Sequence, residues 1–197
     1  MNRTLYVGLD DSNHGWDLVN GSPYIQGEVI VAVFSFLQED SLVVPHANRK
    51  DPFGARVLLA SPERDYLFTL LTLEKYRHTP SNLPLAAQYL IREYLTRLRA
   101  GEQEVTEEER RFPENLKVYF DGRLTAGQKR EVRGDFPDFP KMVVDNFIKK
   151  RNNGRGRCSK RHLCPRVVYI ADTLASDILK SASLESVLSD SRFVVVP

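Results

Sequence analysis

A single α/β domain is the fold class that this sequence predicts, and three observations predict it. A chain of 197 residues suits one compact unit, and two full domains would be cramped. Hydrophobic residues make up 42% and charged residues 27%, enough for a real core and too apolar for wholesale disorder. Short apolar runs rich in β-branched and aromatic residues alternate with stretches of helical spacing, which is the pattern of strands and helices packed in layers.

Taken in order, Leu5 to Leu9 reads as a buried strand that discharges into a polar turn, Asp10-Asp11-Ser-Asn-His-Gly. Glu28 to Leu37 is the second strand, and together the two suggest an early hairpin or meander. Arg56 to Ala60 reads as a further strand, and Tyr66 to Leu73 fits either a strand or a helix. From Pro84 to Leu98 the apolar residues Leu85, Ala86, Tyr89, Leu90, Leu95 and Leu98 approximate helical spacing, and Pro84 suits a first turn. The acidic stretch from Gly101 to Asn115 has little apolar surface and reads as an exposed connection. Leu116 to Asp121 repeats the opening design, a strand ending in Asp at a turn. Phe139 to Lys150 predicts an amphipathic helix, running into a mobile loop at Asn-Asn-Gly-Arg-Gly-Arg. Val167 to Ile170 predicts a strand, Ala171 to Leu179 a helix, and Phe193 to Pro197 a possible last strand.

The N-terminus lacks the stages of a signal peptide, and no apolar run approaches the roughly 20 residues of a membrane helix. With only two cysteines a disulfide framework is not the basis of the fold, and a cytoplasmic protein is expected. The net charge of +2 hides an asymmetry. Glu102 to Glu109 is acidic, whereas 149–166 carries Lys149, Lys150, Arg151, Arg155, Arg157, Lys160, Arg161 and Arg166 without one carboxylate.

Asp10, Asp121 and Asp172 lie far apart in sequence, yet each falls at the end of a strand or the start of the next helix. In an open α/β sheet such ends converge on one edge, where ligands bind. Hard carboxylate oxygens there suit magnesium or manganese. Two such ions about 4 Å apart activate a water and stabilise the leaving oxygen in phosphodiester cleavage. Any one of these aspartates is equally explained as a cap or strand end; the three together carry the reading.

The order of these motifs, from Asp10-Asp11-Ser12 through Val-Tyr-Phe-Asp121-Gly to Val-Tyr-Ile-Ala-Asp172-Thr-Leu-Ala, resembles the ribonuclease H-like superfamily. It looks closest to an uncharacterised prokaryotic branch that opens with a strand ending Asp-Glu-Ser-Gly and closes with a helix carrying Ala-Asp-Leu-Ala. The resemblance spans nearly the whole chain and implies a mixed sheet flanked by helices, with Asp10, Asp121 and Asp172 as metal ligands. It also implies a fourth acid from the helix at Pro84 to Leu98, where Glu93 is the available carboxylate. Asp11 stands where that branch has Glu; strand alternation turns it away from Asp10, which leaves it an auxiliary acid.

The basic segment around 149–166 reads as an insertion that tracks the phosphates of DNA or RNA, with a solvated loop as the plain alternative. Cys158, His162 and Cys164 are soft ligands close together, but the spacing matches no standard zinc pairing and a fourth ligand is missing, so incidental thiols are expected. His14 and Trp16 follow the Asp10 turn and read first as a surface histidine and a core aromatic. The functional expectation is a metal-dependent nuclease. Two alternatives stand beside it: a catalytically inactive nucleic-acid-binding protein of the same fold, and a metal-dependent phosphatase of small phosphate esters.

Overall fold

The computed structural model describes residues 3–13, 27–46, 52–72, 82–101, 112–121, 124–147 and 162–197. Its centre is a five-stranded sheet of β1 (Thr4–Asn13), β2 (Gly27–Ser35), β4 (Arg64–Thr72), β5 (Asn115–Asp121) and β6 (Val143–Phe147). The spatial order is β4-β2-β1-β5-β6. β1, β2 and β4 form an antiparallel meander, and β5 and β6 run parallel to β1, so the sheet is mixed. A short ribbon pairs β3 (Val43–His46) with β7 (His162–Pro165). The expected class, α/β with a mixed sheet flanked by helices, is the one observed.

Alternation along the strands divides the core in two. Leu5, Val7 and Leu9 of β1 and Leu116, Val118 and Phe120 of β5 point to one face, where they meet α2 (Asn82–Gly101) and α3 (Ala126–Gly134). Val29, Val31 and Val33 of β2 point to the other, under α4 (Arg166–Ser181), with α1 (Pro52–Leu59) and α5 (Leu184–Ser189) beside it. Tyr6, Gly8 and Asp10 of β1, and Lys117, Tyr119 and Asp121 of β5, therefore share the α4 face.

Both outer strands of the sheet needed an edge solution, and β4 has one. The backbone N–H of Phe68 donates to the Arg192 carbonyl at 3.0 Å, and Val194 donates back to Phe68 at 2.8 Å. Only one isolated parallel bridge, Phe68 to Phe193, results, so the expected last strand is a short clamp.

Four further expectations are corrected. Residues 56–59 belong to helix α1, not a strand: Ala55 is buried whereas Arg56 and Val57 are exposed, a one-sided helical pattern. Val167 to Ile170 is the opening of α4, since Val167, Val168, Ile170 and Ala171 are fully buried against the sheet and the run is apolar for that reason. Over 139–147 the expected helix of Phe139 to Lys150 is absent; β6 occupies 143–147, with Met142 and Val144 buried between exposed neighbours, and 148–150 lie outside the described residues. Finally, β1 does not end at Leu9 but continues through Asp10 and Asp11 to Asn13, held by its ladder to β2. Tyr66 to Leu73, left open between helix and strand, falls largely in β4. Among the described residues no helix is long and apolar enough to cross a membrane.

Candidate functional site

The site begins with a register. The ladder between β1 and β5 ends at Leu9 opposite Phe120, so Asp10 and Asp121 occupy the next rung on adjacent strands. Parallel neighbours lie about 4.8 Å apart and both side chains take the α4 face. Like charges so placed repel.

The third carboxylate arrives from above. A Cβ added at Gly8 would lie 2.4 Å from the Val167 carbonyl carbon, so only glycine lets the first turn of α4 rest on the β1 backbone. From Val167 to Asp172 the helix advances about 7.5 Å, and from Gly8 to Asp10 the strand advances about 6.6 Å. Asp172 comes near enough for its charge to act on the Asp10 carboxyl. Asp172 thus stands in the second turn of α4, not at the strand-to-helix junction expected from the sequence.

Asp10, Asp121 and Asp172 are all buried, with 5%, 7% and 5% of their surface exposed. Asp10 Oδ1 accepts the backbone N–H of Asp11 at 2.8 Å, while Oδ2 is buried without a hydrogen-bond partner. Burial first, then the charges of Asp121, Asp172 and Asp11, push the Asp10 carboxyl well above its ordinary range. A buried carboxylate with an unsatisfied oxygen and three acidic neighbours calls for a positive charge. The donor set is all hard oxygen, which fits magnesium or manganese. Among the described residues no three His, Cys, Asp or Glu side chains are arranged as the ready ligands of one ion, so the acids share a field without being drawn around a common point.

Glu93 is not brought to this cluster. It lies on α2, on the opposite sheet face, with its side chain 40% exposed and bonded to Arg97 at 2.8 Å. Asp11, half-buried, contributes its charge to Asp10 although alternation turns its side chain to the other face. Lys149, Lys150, Arg151, Arg155, Arg157, Lys160 and Arg161 lie outside the described residues, as do Cys158, His14 and Trp16. Cys164 is fully buried in the cluster under α4. Gly8 is the participant that sequence reasoning passed over. Its signal was present, a glycine inside an otherwise apolar strand, which marks close approach of another backbone.

No family model matches the chain, and no curated protein matches it. Among solved structures the chain is similar to the ribonuclease H2 of Pyrococcus horikoshii OT3, at 13% identity and a TM-score of 0.45, covering 98% of this chain and 82% of that one. At that identity and score the likeness bears no weight on what this chain does.

Proposed function

We propose that this protein is a metal-dependent nuclease that hydrolyses phosphodiester bonds, and that it is kin to the prokaryotic ribonuclease H-like branch its motifs resemble. The observation that carries this reading is the buried, unpartnered Oδ2 of Asp10 within the field of Asp121 and Asp172. Asp10, Asp121 and Asp172 would hold magnesium or manganese, and Asp11 rather than Glu93 is the auxiliary acid that the placement favours. Bound there, two such ions would supply an activated water and a charge to stabilise the leaving oxygen. The chain's own part is to keep three acids desolvated on a rigid floor, so that cation binding relieves repulsion already stored in the fold. The cationic residues of 149–161 would offset the acids' repulsion of a polyanion.

The test is cleavage of labelled DNA and RNA with and without manganese, in the wild type and in Asp121→Asn. Metal-dependent cleavage is expected for the wild type, with a loss of about 100-fold or more in the variant while folding survives. Equal cleavage by both removes this mechanism. A thermal scan supplies a second readout: saturating manganese at about 100 times its dissociation constant should stabilise the wild type by about 2.7 kcal/mol, and the variant by much less.

A further inference from the structure

Helix α4 carries Asp172, and the start of that helix has little of its own to fix it. Its N-cap is Pro165, which gives no side-chain cap, and its first turn holds no acid. Neither a cap nor a carboxylate within the helix answers its positive end.

What answers it comes from the 3-10 turn Gln38–Ser41, which follows β2. The Arg166 backbone N–H donates to the Leu42 carbonyl at 3.0 Å, and Arg166 Nη1 lies 3.2 Å from Glu39 Oε1 and 4.0 Å from Asp40 Oδ1. Exposed ion pairs usually fix little, because two long side chains must be ordered to make one contact. Here one partner is already ordered. Glu39 Oε1 also accepts Arg64 Nη2 at 2.8 Å, and Arg64 is held in turn by Asp40 and by the Leu58 carbonyl at 3.1 Å. The Arg64 side chain is only 6% exposed. Glu39 thus links a buried arginine of β4 to the first residue of α4, in a group of two arginines and two carboxylates whose charges balance.

The consequence falls on Asp172. Six residues separate it from Arg166, about 9 Å of helix rise, short enough for the segment to move as a rigid rod. Gly8 sets how closely α4 approaches β1, but a close approach alone does not stop a helix from sliding along its axis or turning about it. The backbone bond to Leu42 and the side-chain pair to Glu39, made off the axis, limit both motions. We propose that Glu39 and Arg166 are positioning residues for Asp172: their ion pair fixes the axial place and rotation of α4, and so holds the Asp172 carboxylate in the cluster with Asp10 and Asp121. The inference rests on the nuclease reading for the cation that the three acids would share. It adds to that reading two residues, remote from the acids, that set the affinity of the site.

The experiment titrates manganese through the free-ion electron paramagnetic resonance signal in the wild type, Glu39→Gln, Arg166→Met, the double variant and Arg166→Lys. Each of the first two variants should bind manganese about 10-fold more weakly than the wild type. The double variant should bind no more weakly than either, and Arg166→Lys, which keeps a cation for Glu39, should recover most of the affinity. A merely structural role would lower the melting temperature of the metal-free protein instead, and that temperature should change little because the two side chains are 31% and 54% exposed. Amide hydrogen exchange gives a readout without metal: in Glu39→Gln the amides of 169–173 should exchange faster while those of β1 do not change. Unchanged manganese affinity in both single variants overturns the inference, as do losses that add in the double variant. Absence of manganese binding in the wild type would overturn the nuclease reading, and the exchange rates would still decide the pair's role: faster exchange in α4 upholds it and unchanged exchange removes it.

Discussion

Asp10 and Asp40 are both buried carboxylates on the same side of one sheet, and the fold treats them in opposite ways. Asp40 lies in the 3-10 turn Gln38–Ser41 just after β2, level with the start of β1, and is completely buried. It accepts Arg64 Nε at 2.6 Å and Nη2 at 3.0 Å, together with the Ser35 hydroxyl at 2.6 Å. Arg64 is itself only 6% exposed on its side chain, and its hydrogen bonds to Asp40 hold its proton more firmly still. Four residues along β1 from Tyr6, the partner of Ser35, Asp10 has a backbone N–H on one oxygen and nothing on the other, with acids for neighbours. Helix α4 spans the two, with Arg166 3.2 Å from Glu39 at its start and Asp172 beside Asp10 in its second turn. One carboxylate is neutralised from within the chain and serves the architecture; the other has no cation beside it among the described residues, and on the proposed function takes one from outside.

The largest effect should come from breaking the satisfied end. Arg64→Ala strands Asp40 in the core with Arg166, at 4.0 Å, as the remaining cation among the described residues. A loss of about 3–5 kcal/mol by urea denaturation is expected. A change under 1 kcal/mol would mean that Asp40 is neutralised some other way.

Next in size is Gly8→Ala, whose added Cβ meets backbone that cannot swing aside. Destabilisation of about 1–3 kcal/mol is expected, with weaker manganese binding because α4 and Asp172 must lift away from β1. If calorimetry shows stability and manganese affinity both unchanged, Gly8 does not set the position of Asp172.

Asp10→Asn should act with the opposite sign. It removes the repelled charge and so should stabilise the metal-free protein by about 0.5–2 kcal/mol while abolishing cleavage. The pH dependence follows from the same shift. Because the folded protein holds the Asp10 proton more tightly than the unfolded chain does, the contribution of Asp10 to metal-free stability is greatest at low pH. It should fall as pH rises from about the ordinary value of 3.8 through the raised one. Asp10→Asn should flatten that decline, and a decline of undiminished slope would show that Asp10 is not its source. Smallest of all, Glu93→Gln gives up one exposed i,i+4 pair, about 0.3–0.5 kcal/mol, and should leave cleavage rates unaltered. A large loss of kcat in that variant would return Glu93 to the site.

The two regions also differ in how readable they were. Asp10 and Asp121 could be found because each closes an apolar run that only a buried strand explains, and the long helix at α2 announced itself through periodicity. The Asp40 and Arg64 pairing could not be found, since nothing local joins residues 24 apart. Short apolar runs were ambiguous in the expected way: Arg56 to Leu59 and Val167 to Ile170 are helices buried on one or more sides, and four residues do not resolve a period of 3.6 from a strand. Helix α3 was signposted by Thr125 and Gln128, which form a capping box with each side chain bonded to the other's backbone, a cue that its sparse apolar content obscured. Asp172 is buried, and the sequence misplaces it in its element, because the apolar residues that seat α4 on the sheet look like strand.

The contact of residues 192–194 with β4 has a consequence for how this chain behaves among its own copies. Those few residues occupy the backbone groups of Phe68 that would otherwise face outward from an apolar strand. A chain shortened before Arg192 would present that strand as a bare template, and would be drawn into edge-to-edge self-association although its interior had lost little. Solubility would then be governed by residues 192–194, far in sequence from the acid of β1.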